Sequence, residues 1–378
     1  MSQPSPLTGR PGAVRALAPD EGVAAHYGEP VREQRALERG IAVVDLSHHG
    51  VVSVTGADRL SWLHTLSSQR LEGLAPGEAT ELMLLDVQGH IEHAAGVVDD
   101  GATTWLLVDS GRAEALAAYL EKMRFRYEVT VELPEVAVLG TSAAGPALAG
   151  ARGEDLVVWR DPWPRTAEGS TRYGPADDVH PGSEWSAALW VVPSGDVTAV
   201  VDAALAVGGR LAGVWAWEAM RVATWRPRHN LDVDERALPH ELDWLRTSVH
   251  LHKGCYRGQE SIARVFNLGK PPRRLTFLHL DGSEHVIPDP GAEIIGPRDR
   301  VVGTLGSVVR HHELGPVGLA LLKRNLDPEV DLVVSGIAAA QEVIVNTGGI
   351  GTDRPEQVDR SGLRRRDLGG APHDLRGK

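Results

Sequence analysis

The stretch "HLHKGCYRGQE", from His250 to Glu260, holds the only cysteine in a chain of 378 residues. A lone cysteine ordinarily packs as a small, inert hydrophobe. Here Lys253 and Arg257 place positive charge near the sulfur of Cys255, which would stabilise a thiolate, and Gly254 and Gly258 let the backbone approach a ligand closely. A nucleophile, a redox thiol and a cluster ligand are all open on these residues.

Other chemistries find less support. A Cys-His-Asp hydrolase needs a base, and the sixteen histidines offer no spacing that selects one. A permanent iron–sulfur cluster takes about four thiolates, so one cysteine supplies at most a single ligand to a transient or shared cluster. His250 and His252 alternate as on one strand face and His90 and His93 do not, yet neither pair has partners at zinc-site spacing. No resident metal is expected. "GTLGSV" and "GTSAAG" lack the lysine of a phosphate loop. Trp215, Trp217 and Trp225 fall on one expected helix with Glu218 and Arg221 between them. Such a stripe either packs a core or walls a flat heterocycle.

The elements that must position these groups belong to more than one domain, because 378 residues exceed the size at which a single core stops growing. Apolar residues at 42 per cent and charged residues at 24 per cent are globular proportions. A formal charge of −12 repels polyanions, so direct nucleic-acid binding is not expected. One cysteine forms no intramolecular disulfide, the N-terminus has no signal-peptide core, and no stretch approaches the ~20 apolar residues of a membrane span. A cytoplasmic protein without membrane contact is expected.

Residues 1–21, rich in Pro, Gly and Ser, are expected to form a flexible arm. "IAVVDLSHHGVVSVTGADRLSWLHTL" reads as strand, turn, strand and a helix capped by Asp58. "ATELMLLDVQGHIEHAAGVVDDGATTWLLV" reads as a three-stranded meander, followed by a helix capped at Ser110. Further helices are expected at Val197 to Val207 and Val214 to Trp225, with a loop-rich insertion from Gly145 to Gly182. Strands in hairpin runs make residues 22–268 an α+β region with mainly antiparallel sheets, in two parts. After Pro271-Pro272, short strands between Gly and Pro turns predict a small β-barrel over 269–347. Residues 348–378, including the basic cluster Arg364 to Arg366, have no apolar face and are expected to be a disordered tail.

Two segments carry a resemblance. "DLSHHGVVSVTGADRLSWLHTLSSQRLEGLAPGEA" with "LLDVQGH" resembles the first part of the T-protein, the aminomethyltransferase of the glycine cleavage system. "KGCYRGQE" closely resembles the signature of the YgfZ family of folate-binding proteins, which shares the T-protein fold. The resemblance covers roughly Gly22 to Asn346. It implies two α+β parts and a C-terminal barrel around a tetrahydrofolate pocket, and an accessory role in assembling or repairing iron–sulfur clusters for enzymes such as those modifying tRNA. Cys255 would be the acting thiol, and His49, Trp217, Lys253, Tyr256 and Gln259 would hold the folate. Iron–sulfur assembly factors or cluster-dependent enzymes would be the partners.

Departures from the pattern bear on the reaction. His49 stands where the YgfZ family has a tryptophan. The T-protein's aspartate after the Q-G turn meets His93 and Ala94 here, its folate-contacting glutamate meets Ala223, and its arginine meets Gln259. Alanine accepts nothing from pterin N–H groups, and a neutral amide cannot pair a carboxylate as a guanidinium does. Aminomethyl transfer is therefore not expected. A tetrahydrofolate-dependent one-carbon transferase is the alternative reading.

Overall fold

A computed structural model describes residues 4–355, apart from 146 and 284. It is an α+β protein whose strands form two five-stranded sheets, a closed six-stranded barrel and a short N-terminal pair. In the first sheet the order is Val157–Arg160, Ala187–Pro193, Val136–Ser142, Ala42–Asp45 and Arg210–Ala212, the last pair running parallel. In the second it is Ala79–Leu85, Ile91–Asp99, Thr103–Val108, Gly50–Thr55 and Thr130–Glu132, antiparallel throughout. The barrel, Arg273–Leu280 to Ile337–Val343, is antiparallel and closed, which leaves no free edge. Among the described residues no helix is long and apolar enough to cross a membrane.

The strands Ala42–Asp45 and Gly50–Thr55 are successive in the chain but lie in different sheets. The turn between them is a crossover, and it carries His49 to the seam between the sheets. The helix Val214–Ala223 packs against the helix Pro30–Glu38 and against the barrel strand Arg300–His311, so the first sheet region and the barrel meet on it. It ends at Ala223, and the positive φ of 58° at Trp225 keeps the chain off the helical path before Pro227.

Several local expectations are corrected. The segment of residues 4–21 packs instead of forming a loose arm: Leu7 is fully buried, Ser5 N–H donates to the Gly22 carbonyl at 2.8 Å, and Asp20 pairs with Arg228 at 2.7 Å. Its Pro and Gly shape turns around one apolar anchor and one buried charge. Asp58 precedes its helix but spends its carboxylate on the Glu128 N–H at 2.9 Å. The next helix begins at Ala113, two turn residues beyond Ser110. The start of the C-terminal tail also docks: Asn346 Nδ2 donates to the Tyr173 carbonyl at 2.7 Å and Thr352 N–H to that of Arg172 at 3.1 Å. The remainder, with Arg364 to Arg366, lies outside the described residues.

Candidate functional site

Where the two sheets face the helix Val214–Ala223 there is a half-open cavity of about 130 Å³. Trp159, Trp163, Trp185, Trp217 and Trp244 line it, together with His49. Trp217 reaches it because the position beneath its ring has no side chain. A Cβ on Gly140 would lie 2.6 Å from the Trp217 ring and 2.7 Å from Leu46. Gly96 makes the same room for Trp159, at 2.7 Å. Gly140→Ala is therefore expected to displace the Trp217 indole, changing its near-UV circular dichroism and lowering stability by about 1–3 kcal/mol, as overpacking does. An unchanged spectrum would show that the ring does not need this gap.

Charge in the cavity wall is organised around three arginines. The Arg226 guanidinium donates from Nε to Asp161 at 2.9 Å and from Nη2 to Glu81, and lies 5.2 Å and 5.3 Å from the ring centroids of Trp163 and Trp244. Trp244 Nε1 donates to the other oxygen of Glu81 at 3.1 Å. Arg226 Nη1 is buried without a hydrogen-bond partner among the described residues. Arg221 grips Glu218 with two bonds, of 2.9 and 2.6 Å, and reaches Ser307 of the barrel at 2.6 Å. Arg228 joins Asp109, Asp20 and Glu218.

Titration follows from this layout. Burial pushes the Asp161 carboxyl up to about 6 against the pull of Arg226, with Glu81 adding to the rise, so a protonatable carboxyl stands in the wall. Asp109 is held well below the usual carboxylate range: burial would raise it, but Arg228 outweighs burial. His49 is lowered to about 3 by burial and by neighbouring His48, and is a neutral imidazole at physiological pH.

His49 and Trp217 thus both line this cavity. The "KGCYRGQE" loop is elsewhere. Cys255 is exposed, and neither it nor Lys253, Tyr256 or Gln259 lines the cavity. The Lys253 ammonium turns inward, donating to the carbonyls of His64, Ser67 at 2.5 Å and Gln69 at 3.0 Å, over the buried Tyr256 ring. Burial lowers it to about 8. Arg257 pairs with Glu92 at 2.7 Å. Gln259 Nε2 bonds the Lys253 carbonyl at 3.2 Å, within its own loop. Gly258, at φ 85°, leaves no room for a Cβ against the Asp86 carbonyl, 2.4 Å away. The two cations expected to flank the sulfur are therefore committed to other partners, and the motif docks the loop on the turn at Asp86 to Gly89. Cys255→Ser is expected to change stability by no more than about 0.5 kcal/mol, as exposed substitutions do; a larger loss by urea unfolding would place the sulfur in the packing.

Glu81, Asp109, Asp161, Arg226 and Arg228 were not singled out by residue spacing. The one local signal was Arg226-Pro227-Arg228, two arginines around the residue that stops the helix. Ala94 lines the cavity and the His93 ring lies tilted against that of Tyr119, centroids 5.7 Å apart. Ala223 lies in the wall of a second, neighbouring cleft.

No model of a known protein family matches the chain. It is 26 per cent identical over 320 residues to "Putative transferase At1g60990, chloroplastic" of Arabidopsis thaliana, covering 81 per cent of this chain and 71 per cent of that protein. The crystal structure of the glycine cleavage system aminomethyltransferase T from Bartonella henselae matches with a TM-score of 0.70 at 18 per cent identity, over 89 per cent of this chain and 94 per cent of the other. The chain therefore has the aminomethyltransferase T fold, two α+β sheet regions and a terminal closed barrel.

Proposed function

We propose that the chain is a folate-binding protein whose cavity takes the pterin ring. The supporting observation is Arg226, a buried guanidinium with an unpartnered Nη1 in a tryptophan-lined wall. A free N–H donor there suits a ring carbonyl, the carboxylates of Asp161 and Glu81 beside it suit ring N–H groups, and Trp217 offers a stacking face. When bound, tetrahydrofolate would supply a nitrogen that carries one-carbon units. The cavity is smaller than the ~300–1,000 Å³ of drug-sized sites, so it suits the flat head and leaves the glutamyl tail outside. Saturable heat on titration with tetrahydrofolate is expected, weakened at least about tenfold in Trp217→Ala, the equivalent of one stacking contact. No heat from the wild type would overturn the reading.

The finer role is that of a YgfZ-type accessory protein in a reducing compartment, supporting iron–sulfur enzymes through Cys255. The exposed thiol, outside the cavity, is open to a partner protein. Complementation of a deletion strain tests it. Cys255→Ala is expected to fail in restoring cluster-dependent tRNA modification, and full recovery would remove the thiol from the mechanism. A second reading, tetrahydrofolate-dependent one-carbon transfer, is favoured by the Asp161 carboxyl in the cavity wall, pushed up to about 6 by burial, where a general acid or base would stand. Turnover of a methylamine-type donor that is lost in Asp161→Asn would establish it.

A further inference from the structure

Beside the tryptophan cavity, sharing only Trp185 and Thr224 with it, lies a separate cleft of about 450 Å³ between the loop at Asp178 to Trp185 and the outer face of the barrel. Its volume falls within the ~300–1,000 Å³ of small-molecule sites. The floor is aromatic and buried: Trp225 is 6 per cent and Phe277 2 per cent exposed. The rim is acidic. Glu38, Asp178, Glu184, Glu313 and Glu342 line the cleft, and no lysine or arginine does. Glu38 and Glu342 bond His312 and His279, each at 3.1 Å, whereas the carboxylates of Asp178, Glu184 and Glu313 have no hydrogen-bond or ion-pair partner among the described residues. Among the described residues no group of side chains is arranged to hold a metal ion.

Two buried histidines point to a ligand independently of the carboxylates. His311, 7 per cent exposed, lines the cleft, and its Nδ1 accepts the N–H groups of Glu313 and Leu314, both at 3.2 Å. That fixes the tautomer with the proton on Nε2, which makes no hydrogen bond among the described residues. His180, 1 per cent exposed, repeats the arrangement: Nδ1 accepts from the Gly182 N–H at 3.0 Å and Nε2 is buried without a partner. The wall therefore presents unpartnered donors above an aromatic floor and inside a ring of negative charge.

We infer that this cleft binds a small organic cation that also carries a hydrogen-bond acceptor. The cation sits over Trp225 and Phe277 within the carboxylate field, where ring faces and carboxylates attract it together. Its acceptor takes the His311 Nε2–H. The same field repels the anionic tail of a folate, so the cleft is not an overflow of the neighbouring cavity, and the inference stands whether or not that cavity takes a pterin.

Acetylcholine, which joins a quaternary ammonium to an ester carbonyl, is the probe, and its uncharged carbon isostere 3,3-dimethylbutyl acetate the control. Titration of the full chain, followed by tryptophan fluorescence and calorimetry, is expected to saturate with acetylcholine and to show at least about tenfold weaker binding of the neutral ester, from lost cation–π and charge attraction. The double variant Glu184→Gln, Glu313→Gln changes only exposed side chains and should weaken acetylcholine at least about fivefold. His311→Phe should erase the preference of acetylcholine over tetramethylammonium, which has no acceptor. No saturable signal, equal binding of the two esters, or cation binding unchanged in the double variant would each overturn the assignment.

Discussion

Lowering the pH from 6.5 toward 4 is expected to unfold the chain in one steep transition. His49, His180, His229 and His240 are enclosed and held neutral, at about 3, 3, 4 and 3. Burial is the main cause in each, reinforced by His48, Arg246 and Arg112 at the first three and partly offset by the Ile262 carbonyl at His240. Their folded values lie below the ordinary 6.5, so between 6.5 and 4 the unfolded chain binds protons that the folded chain refuses. The stability they support is complete above 6.5 and is lost as pH falls. Asp161 acts in the opposite sense, because its folded value of about 6 lets the native chain keep a proton in the same window. Across these five groups the difference of about three protons, four less one, makes a slope of about 4 kcal/mol per pH unit, enough to exhaust a typical stability of ~5–15 kcal/mol within a few units. Asp20, held low by His48 and Arg228, and Asp109, held low by Arg228, both against burial, matter only below this window. Circular dichroism against pH, with urea unfolding at several pH values, measures the slope. Constant stability from 6.5 to 4 would mean that these imidazoles are hydrated.

Arg228→Met is expected to lose about 3–5 kcal/mol at neutral pH, the effect of removing one member of a buried ionic group. Arg228 donates to Asp109 from Nε at 3.0 Å and Nη2 at 2.7 Å, to Asp20 at 2.7 Å, and lies 3.3 Å from Glu218. Methionine fills part of the volume and leaves these carboxylates charged in a poorly hydrated place. Arg228→Lys should recover only part of the loss, because an ammonium cannot span three acceptors in one plane. Urea unfolding of both variants decides it, and a loss below about 1 kcal/mol would reduce the cluster to the level of a surface pair.

Much of the scaffold could be read from local pattern. The meander from Ala79–Leu85 to Thr103–Val108 follows from alternation and turn residues, both short-range signals. The barrel was legible for the same reason. Sheet membership was not: the strands on either side of His49 look like neighbours, and only long-range pairing with Val136–Ser142 and Thr103–Val108 separates them. The site divides likewise. Trp217 was visible on a helical stripe, but Glu81 and Asp161 stand 145 and 65 residues from the arginine that binds them. The charges around Cys255 were read correctly as composition and wrongly as direction, since the carbonyls that capture Lys253 come from His64 to Gln69.

The Arg228 cluster draws Asp20 from the N-terminal segment, Asp109 from the end of a sheet strand and Glu218 from the central helix, while Arg221 on that helix reaches barrel residue Ser307. Boundaries drawn along the polypeptide are thus not places where the molecule can be cut. Trimming before Gly22, or releasing the barrel, would strand charge in the shared centre, and the chain should melt as one body with every region's amide protection collapsing together.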